Sequence, residues 1–124
     1  MVKINRNDTG RLGEEFARAF LKKRGFRILE TNYRCPEGEI DIVAQHKDCL
    51  VFVEVRTKTS QQFGSPEESV TQAKKRRMIA TAQHYRHVHD RQLPLWRIDF
   101  IAVELDKRGK PSRIELIENA VTEA

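Results

Sequence analysis

Hydrophobic and polar positions along this chain follow two periods, one of two residues and one of three to four. From Gly38 to Lys58 the pattern alternates: Ile40, Ile42 and Ala44, then Val51, Val53 and Val55, are apolar, with a polar stretch from His46 to Cys49 between them. Two β-branched runs joined in this way predict a β-hairpin. A turn at Lys47-Asp48, or a four-residue turn from His46 to Cys49, gives one register, with Val43 opposite Phe52, Asp41 opposite Glu54 and Glu39 opposite Arg56. One face of the hairpin is then wholly apolar. The other is apolar near the turn and charged at the open end.

The helical period appears twice. From Arg11 to Arg24, Leu12, Phe16, Ala19 and Phe20 form a stripe widened by Gly13, Ala17 and Leu21, with Asp8-Thr9-Gly10 as N-cap and Gly25 as stop. From Glu67 to about His89 a looser stripe runs through Val70, Ala73, Met78, Ala80, Ala82, Tyr85 and Val88. Phe26 to Tyr33 predicts the first strand, and Arg34 to Gly38, with Pro36 and Gly38, a loop. Thr59 to Pro66 is a polar loop beside the charged end of the hairpin. Trp96 to Leu105 predicts a strand whose run Phe100-Ile101-Ala102-Val103 implies burial on both faces. A basic turn, Asp106 to Pro111, leads to a last strand, Arg113 to Glu118, and a tail, Asn119 to Ala124. The order is helix, three strands, helix, two strands, an α/β chain with one sheet of mixed direction.

The 124 residues suit a single domain with its core over about residues 9–118. Hydrophobic residues make up 39% and charged residues 33%, and no apolar run approaches the roughly 20 residues of a membrane span. Met1 to Arg6 is too short and polar to be a targeting segment. The only cysteines, Cys35 and Cys49, lack metal-type spacing, so a reduced, cytoplasmic setting is expected. The net charge of +5 points to a polyanionic partner such as nucleic acid. There is no phosphate-binding glycine loop and no nucleophile elbow, which leaves carboxylate chemistry.

Carboxylates directly opposite one another, with Cβ atoms about 4.5–5.5 Å apart, destabilise a sheet. Their repulsion is about 1 kcal/mol in water and about 4 kcal/mol near a protein surface. A divalent cation between Asp41 and Glu54 would turn that cost into a binding site, because Mg²⁺ takes oxygen ligands. Alternatively one acid pairs with Arg56 or Lys58, and the region is only a charged sheet end. Glu14 and Glu15 suit the first turn of a helix by its dipole, yet Glu14 also lies at the edge of the apolar arc and can face the sheet. In Lys74-Lys75-Arg76-Arg77 the middle two project away from the stripe. Lys74 and Arg77 fall near its centre, where a groove or a phosphate would be within reach. His84, His87 and His89 read as surface histidines.

Asp41 followed by Glu54-Val55-Arg56 is close to the D-(x)n-(D/E)-x-K signature of the restriction-endonuclease-like fold, in which residues two apart share a strand face. Gly10-Arg11-Leu12-Gly13-Glu14, Gly38-Glu39-Ile40-Asp41, Val51-Phe52-Val53-Glu54-Val55-Arg56 and Phe63-Gly64-Ser65-Pro66, in that order, resemble the YraN family over roughly residues 9 to 104. That bacterial family is assigned to the endonuclease-like fold, and a more distant similarity extends to archaeal Holliday junction resolvases. The resemblance implies an αβββαβ core, with a mixed sheet flanked by helices. It also implies metal-dependent hydrolysis of DNA phosphodiesters, at branched or damaged structures. Glu14, Asp41 and Glu54 would hold Mg²⁺ or Mn²⁺, and Glu39 would be an auxiliary acid or the salt-bridge partner of Arg56. Arg11, Arg56, Lys58, Lys74, Lys75 and Arg77 are the cations expected against nucleic acid, and a homodimer, as in resolvases, is one expected assembly.

The chain departs from the signature at Arg56, which stands where the lysine is usual. A guanidinium clamps phosphate but cannot act as a base. Lys58 shares its strand face and is the candidate replacement, completing a catalytic set of Glu14, Asp41, Glu54, Arg56 and Lys58. The other reading is a catalytically inactive nucleic-acid-binding module that has kept the fold.

Overall fold

The broad apolar arc of the first helix finds its partner in the sheet. The computed structural model describes residues 6–59, 70–89 and 93–121. In it α1 (Arg6–Lys23) buries Ala17 and Leu21 completely and packs Leu12, Phe16 and Phe20 around them. The helix starts before the expected cap: Asp8 lies inside its first turn, where an acid suits the dipole, and pairs with Arg11 at 3.1 Å. Its end is as expected. Gly25 has φ 86°, and the N–H groups of Gly25 and Phe26 bond the carbonyls of Lys22 and Leu21 at 3.1 and 3.0 Å, the paired bonds of a Schellman motif.

Three strands follow, β1 (Arg27–Cys35), β2 (Gly38–His46) and β3 (Cys49–Thr59), then α2 (Gln72–His89), β4 (Leu95–Leu105) and β5 (Pro111–Val121). The sheet runs β1-β2-β3-β4-β5, with β3 and β4 parallel and the other neighbours antiparallel. The chain is therefore a mixed α/β structure with a five-stranded sheet flanked by helices. Among the described residues no helix is long and apolar enough to cross a membrane.

The expected register of the central hairpin holds from the Lys47-Asp48 turn to the Ile42–Val53 pair, with Val43 opposite Phe52. The ladder ends there and does not include the expected Asp41–Glu54 and Glu39–Arg56 pairs. All of Cys49–Val55 is buried, because β3 is covered on both faces. Ile42, Ala44, Val51, Val53 and Val55 pack under α1, whereas Val43, Leu50 and Phe52 meet Met78, Ala82 and Tyr85 of α2. Ile40 corrects the simple alternation: it packs with Tyr33 in the α2 cluster and not with Ile42. Opposite this change of face, Asn32 in β1 has φ 53°. β4 carries Phe100, Ile101, Ala102 and Val103 at 4% exposure or less, the burial on both faces that its apolar run predicts.

Other boundaries differ for local reasons. The expected loop Arg34–Gly38 shrinks to the two-residue turn Pro36-Glu37, since Cys35 already pairs with Gly38. Thr71 caps α2, its hydroxyl accepting the Lys74 N–H at 3.1 Å, so the helix starts at Gln72. The expected start at Glu67 and the Phe63-Gly64-Ser65-Pro66 motif lie outside the described residues. Val88, expected on the apolar stripe, is 57% exposed. β5 continues to Val121 because fully buried Asp99 accepts the Asn119 N–H at 2.9 Å where that residue takes φ 51°.

Gly13 sets how closely α1 approaches β3. A Cβ at this position would lie 2.8 Å from both Cβ and Cγ2 of Thr57, closer than side chains tolerate. Gly13→Ala gains up to about 1 kcal/mol of helix propensity but suffers an overlap costing about 1–3 kcal/mol. Thermal unfolding of Gly13→Ala should show net destabilisation, partly recovered by adding Thr57→Ala. A melting temperature equal to or above wild type would mean that α1 does not sit this close to β3.

Candidate functional site

The ladder between β2 and β3 ends at the Ile42–Val53 pair. Beyond it the Val55 N–H donates to Asp41 Oδ2 at 2.8 Å, so a side chain takes the place of a ladder carbonyl. The strands fork here, and Asp41 and Glu54 sit in the fork. Asp41 is half-buried, while Glu54 is only 4% exposed. Glu54 Oε1 lies 3.6 Å from Lys74 Nζ and 3.9 Å from Arg56 Nη1. Glu54 Oε2 and Arg56 Nε are buried without a hydrogen-bond partner.

The electrostatics follow from this burial. Desolvation first, and the Asp41 charge second, push the Glu54 carboxyl from 4.5 up to about 7, against the lowering influence of Lys74 and Arg56. Asp41 is also raised, mainly by burial, although the Val55 N–H opposes the change. The interaction between the two side chains raises Glu54 and lowers Asp41, so the proton is favoured on Glu54. Glu14 reaches the same place from α1: its carboxyl is raised by burial and then by the charge of Asp41, with Arg18 opposing. With α1 starting at Arg6, Glu14 and Glu15 lie past the first turn where the dipole would favour them, and Glu14 is half-buried within reach of Asp41.

The remaining expected residues divide. Glu39 pairs with Arg34 at 3.2 Å and not with Arg56, though its charge still raises Glu14 and Asp41. Lys58 does not reach the acids; its ammonium pairs with Glu104 of β4 at 3.1 Å, directly across the parallel ladder. Arg11 points to solvent beside Asp8. Two expectations reverse at the start of α2: Lys75, expected to project away from the stripe, is half-buried, and Arg77, expected near its centre, is exposed. The ammonium at the acid pair is therefore Lys74, supplied by a helix and not by the strand. Its sequence signal was its place near the centre of the α2 stripe.

Asp41 and Glu54, with Glu14 within electrostatic reach of Asp41, offer the oxygen donors that a hard divalent cation such as Mg²⁺ or Mn²⁺ takes, and one Glu54 oxygen is buried without a partner. Residues 13–103, the span containing Glu14, Asp41, Glu54 and Lys74, match the family described as "Uncharacterised protein family UPF0102". The chain belongs to the UPF0102 family. This is the YraN resemblance carried by the sequence motifs. A UPF0102 protein of Dehalococcoides mccartyi is 47% identical, covering 96% of this chain and 97% of its own. One from Moorella thermoacetica is 44% identical over 94% and 98%, and one from Roseiflexus castenholzii is 44% identical over 96% and 97%. UPF0102 relatives thus match across almost their whole length.

The buried acid gives stability a pH dependence of definite sign. Unfolded, Glu54 loses its proton near 4.5; folded, it keeps the proton to about 7. Between these values the folded state binds more protons, so stability falls as pH rises. The difference is about 3 kcal/mol, or about 10 °C in melting temperature for a chain of this size. It is fully present below the lower value and lost above the upper. Melting temperatures of wild type and Glu54→Gln between pH 4 and 8 should diverge, with the wild type falling more steeply. Added Mn²⁺ should restore the wild type at pH 8 and leave Glu54→Gln little changed. Parallel profiles would contradict this account of Glu54.

Proposed function

We propose that this UPF0102 chain is a divalent-metal-dependent nuclease that hydrolyses DNA phosphodiester bonds on a restriction-endonuclease-like αβββαβ fold. The observation that carries the reading is buried Glu54 beside half-buried Asp41, with an ammonium, Lys74, 3.6 Å from Glu54. A stable sheet has no reason to bury two opposed acids, one with an unpartnered oxygen, and a cation-binding centre has one. The strand order and the parallel β3–β4 pair are those expected of that fold.

Asp41, Glu54 and Glu14 would hold Mg²⁺ or Mn²⁺. When bound, the ion supplies neutralisation of phosphate charge and a lowered pKa for water. The chain's own groups do the rest. The Val55 N–H fixes one oxygen of Asp41, leaving the other for the site. Arg56, always charged, clamps a phosphate oxygen. Lys74 offers the ammonium that the signature's strand lysine would otherwise provide, placed to orient the attacking water. Lys75, Arg77 and Arg11 extend a basic surface along which a DNA backbone would lie.

A second reading, a non-catalytic nucleic-acid-binding module, draws on Arg56 at the lysine position and on Lys58 being engaged by Glu104. Incubation with duplex, single-stranded and four-way-junction DNA plus Mn²⁺ separates the two. Cleavage should fall about 100-fold or more in Asp41→Asn, Glu54→Gln and Lys74→Met, and stay within a few-fold of wild type in Lys58→Met. Loss in Lys58→Met with normal turnover in Lys74→Met would return the role to the strand lysine. Salt-sensitive binding without cleavage under any metal would favour the module.

A further inference from the structure

A second group of metal-type donors lies away from the fork. Cys35, Glu37 and His84 each place a ligand atom within 4.8 Å of the other two. Cys35 and Glu37 flank the turn between β1 and β2, and His84 stands on the sheet-facing side of α2. Their separation in sequence explains why neither the cysteines nor the histidines showed metal-type spacing. We propose that Cys35, Glu37 and His84 bind a zinc-class divalent cation that clamps α2 onto the β1–β2 turn.

The donor set selects the ion. Thiolate and imidazole favour Zn²⁺ or Co²⁺, whereas the all-carboxylate fork favours Mg²⁺ or Mn²⁺. One thiolate and one carboxylate balance the charge of such an ion, and three protein ligands leave a fourth tetrahedral position for water. Zinc–ligand bonds of about 2.0–2.3 Å need donors roughly 3.5 Å apart. Glu37, exposed at the turn, closes the observed spread by a change of side-chain torsion.

The surroundings hold the donors in place. The Tyr33 hydroxyl lies 2.7 Å from His84 Nδ1, the outer contact that commonly orients a ligating imidazole. Tyr33 is itself fixed, 8% exposed and edge-on to Tyr85 with centroids 5.0 Å apart. The helix also comes unusually close to the turn here. A Cβ at Gly38 would lie 2.9 Å from Thr81 Oγ1, and Thr81 is one helical turn before His84.

The test is a Co²⁺ titration of the reduced full chain followed by absorption, with Zn²⁺ affinity measured by competition against a chromophoric chelator. One equivalent of Co²⁺ should produce a thiolate-to-cobalt charge-transfer band that Zn²⁺ abolishes. Cys35→Ser should remove the band and Cys49→Ser keep it. Glu37→Gln and His84→Gln should each weaken Zn²⁺ binding about tenfold or more. Tyr33→Phe, acting through His84, should weaken it about 10–100-fold. The double variant Asp41→Asn, Glu54→Gln should retain the band, which separates this site from the fork. Far-UV circular dichroism checks folding, and Glu37→Gln, on an exposed turn, serves if Cys35→Ser unfolds. Absence of the band in wild type, its survival in Cys35→Ser, or unchanged Zn²⁺ affinity in Glu37→Gln would each overturn the proposal.

Discussion

The repulsion between Asp41 and Glu54 is the constraint around which the rest of this structure is arranged. β3 is buried on both faces, so a residue in its middle cannot escape to solvent by turning its side chain. Glu54 is therefore held at 4% exposure beside another acid, and the ladder between β2 and β3 stops one pair short of them. The Val55 N–H that would have gone to a backbone carbonyl goes to the Asp41 carboxylate. Fork, burial and raised carboxyls are one physical fact seen from three sides.

The two helices act on that repulsion in opposite senses: α1 adds a third acid, Glu14, and α2 offsets the charge. α1 can deliver Glu14 only because Gly13 lets the helix lie against Thr57. α2 contributes positive charge in an orientation that local preference opposes. Its first turn holds Lys74 and no acid, although cations near a helix N-terminus cost about 0.3–1 kcal/mol. Lys74 lies beside Glu54, so the unfavourable local choice gives a favourable field at the fork. Violations of local rules that are repaid only at a site are what functional positions look like.

Much of this was legible from spacing alone. Alternation gave the hairpin register near the turn, because a one-residue slip would have sent the apolar set to the wrong face, but it could not show that the ladder ends before Asp41 and Glu54. The continuous run in β4 gave its two-sided burial. What failed did so where period says too little. Alternation placed Lys58 on the correct face but could not show that Glu104 on a parallel neighbour lies nearer than Glu54. Pro36 read as part of a loop because a two-residue turn and a five-residue loop share the same breaker residues. Ile40 changes face opposite Asn32, whose φ is 53°, and no sequence period records such an irregularity in the neighbouring strand. The Cys35–Glu37–His84 group joins two elements that only the folded sheet brings together.

The two donor groups bear on one another through α2. This helix buries only Met78, Thr81, Ala82 and Tyr85, a thin attachment for an element that must hold Lys74 within a few ångströms of Glu54. Lys74 and His84 are separated by about 15 Å along the axis at the rise of an α-helix. A small rotation of α2 about its buried stripe would swing Lys74 away from the acid pair. The Tyr33–His84 hydrogen bond already resists that rotation at the far end, and a cation on Cys35, Glu37 and His84 would resist it more strongly. A cation on this soft-donor group would thus fix the rotational setting of the helix whose other end places Lys74 beside Glu54.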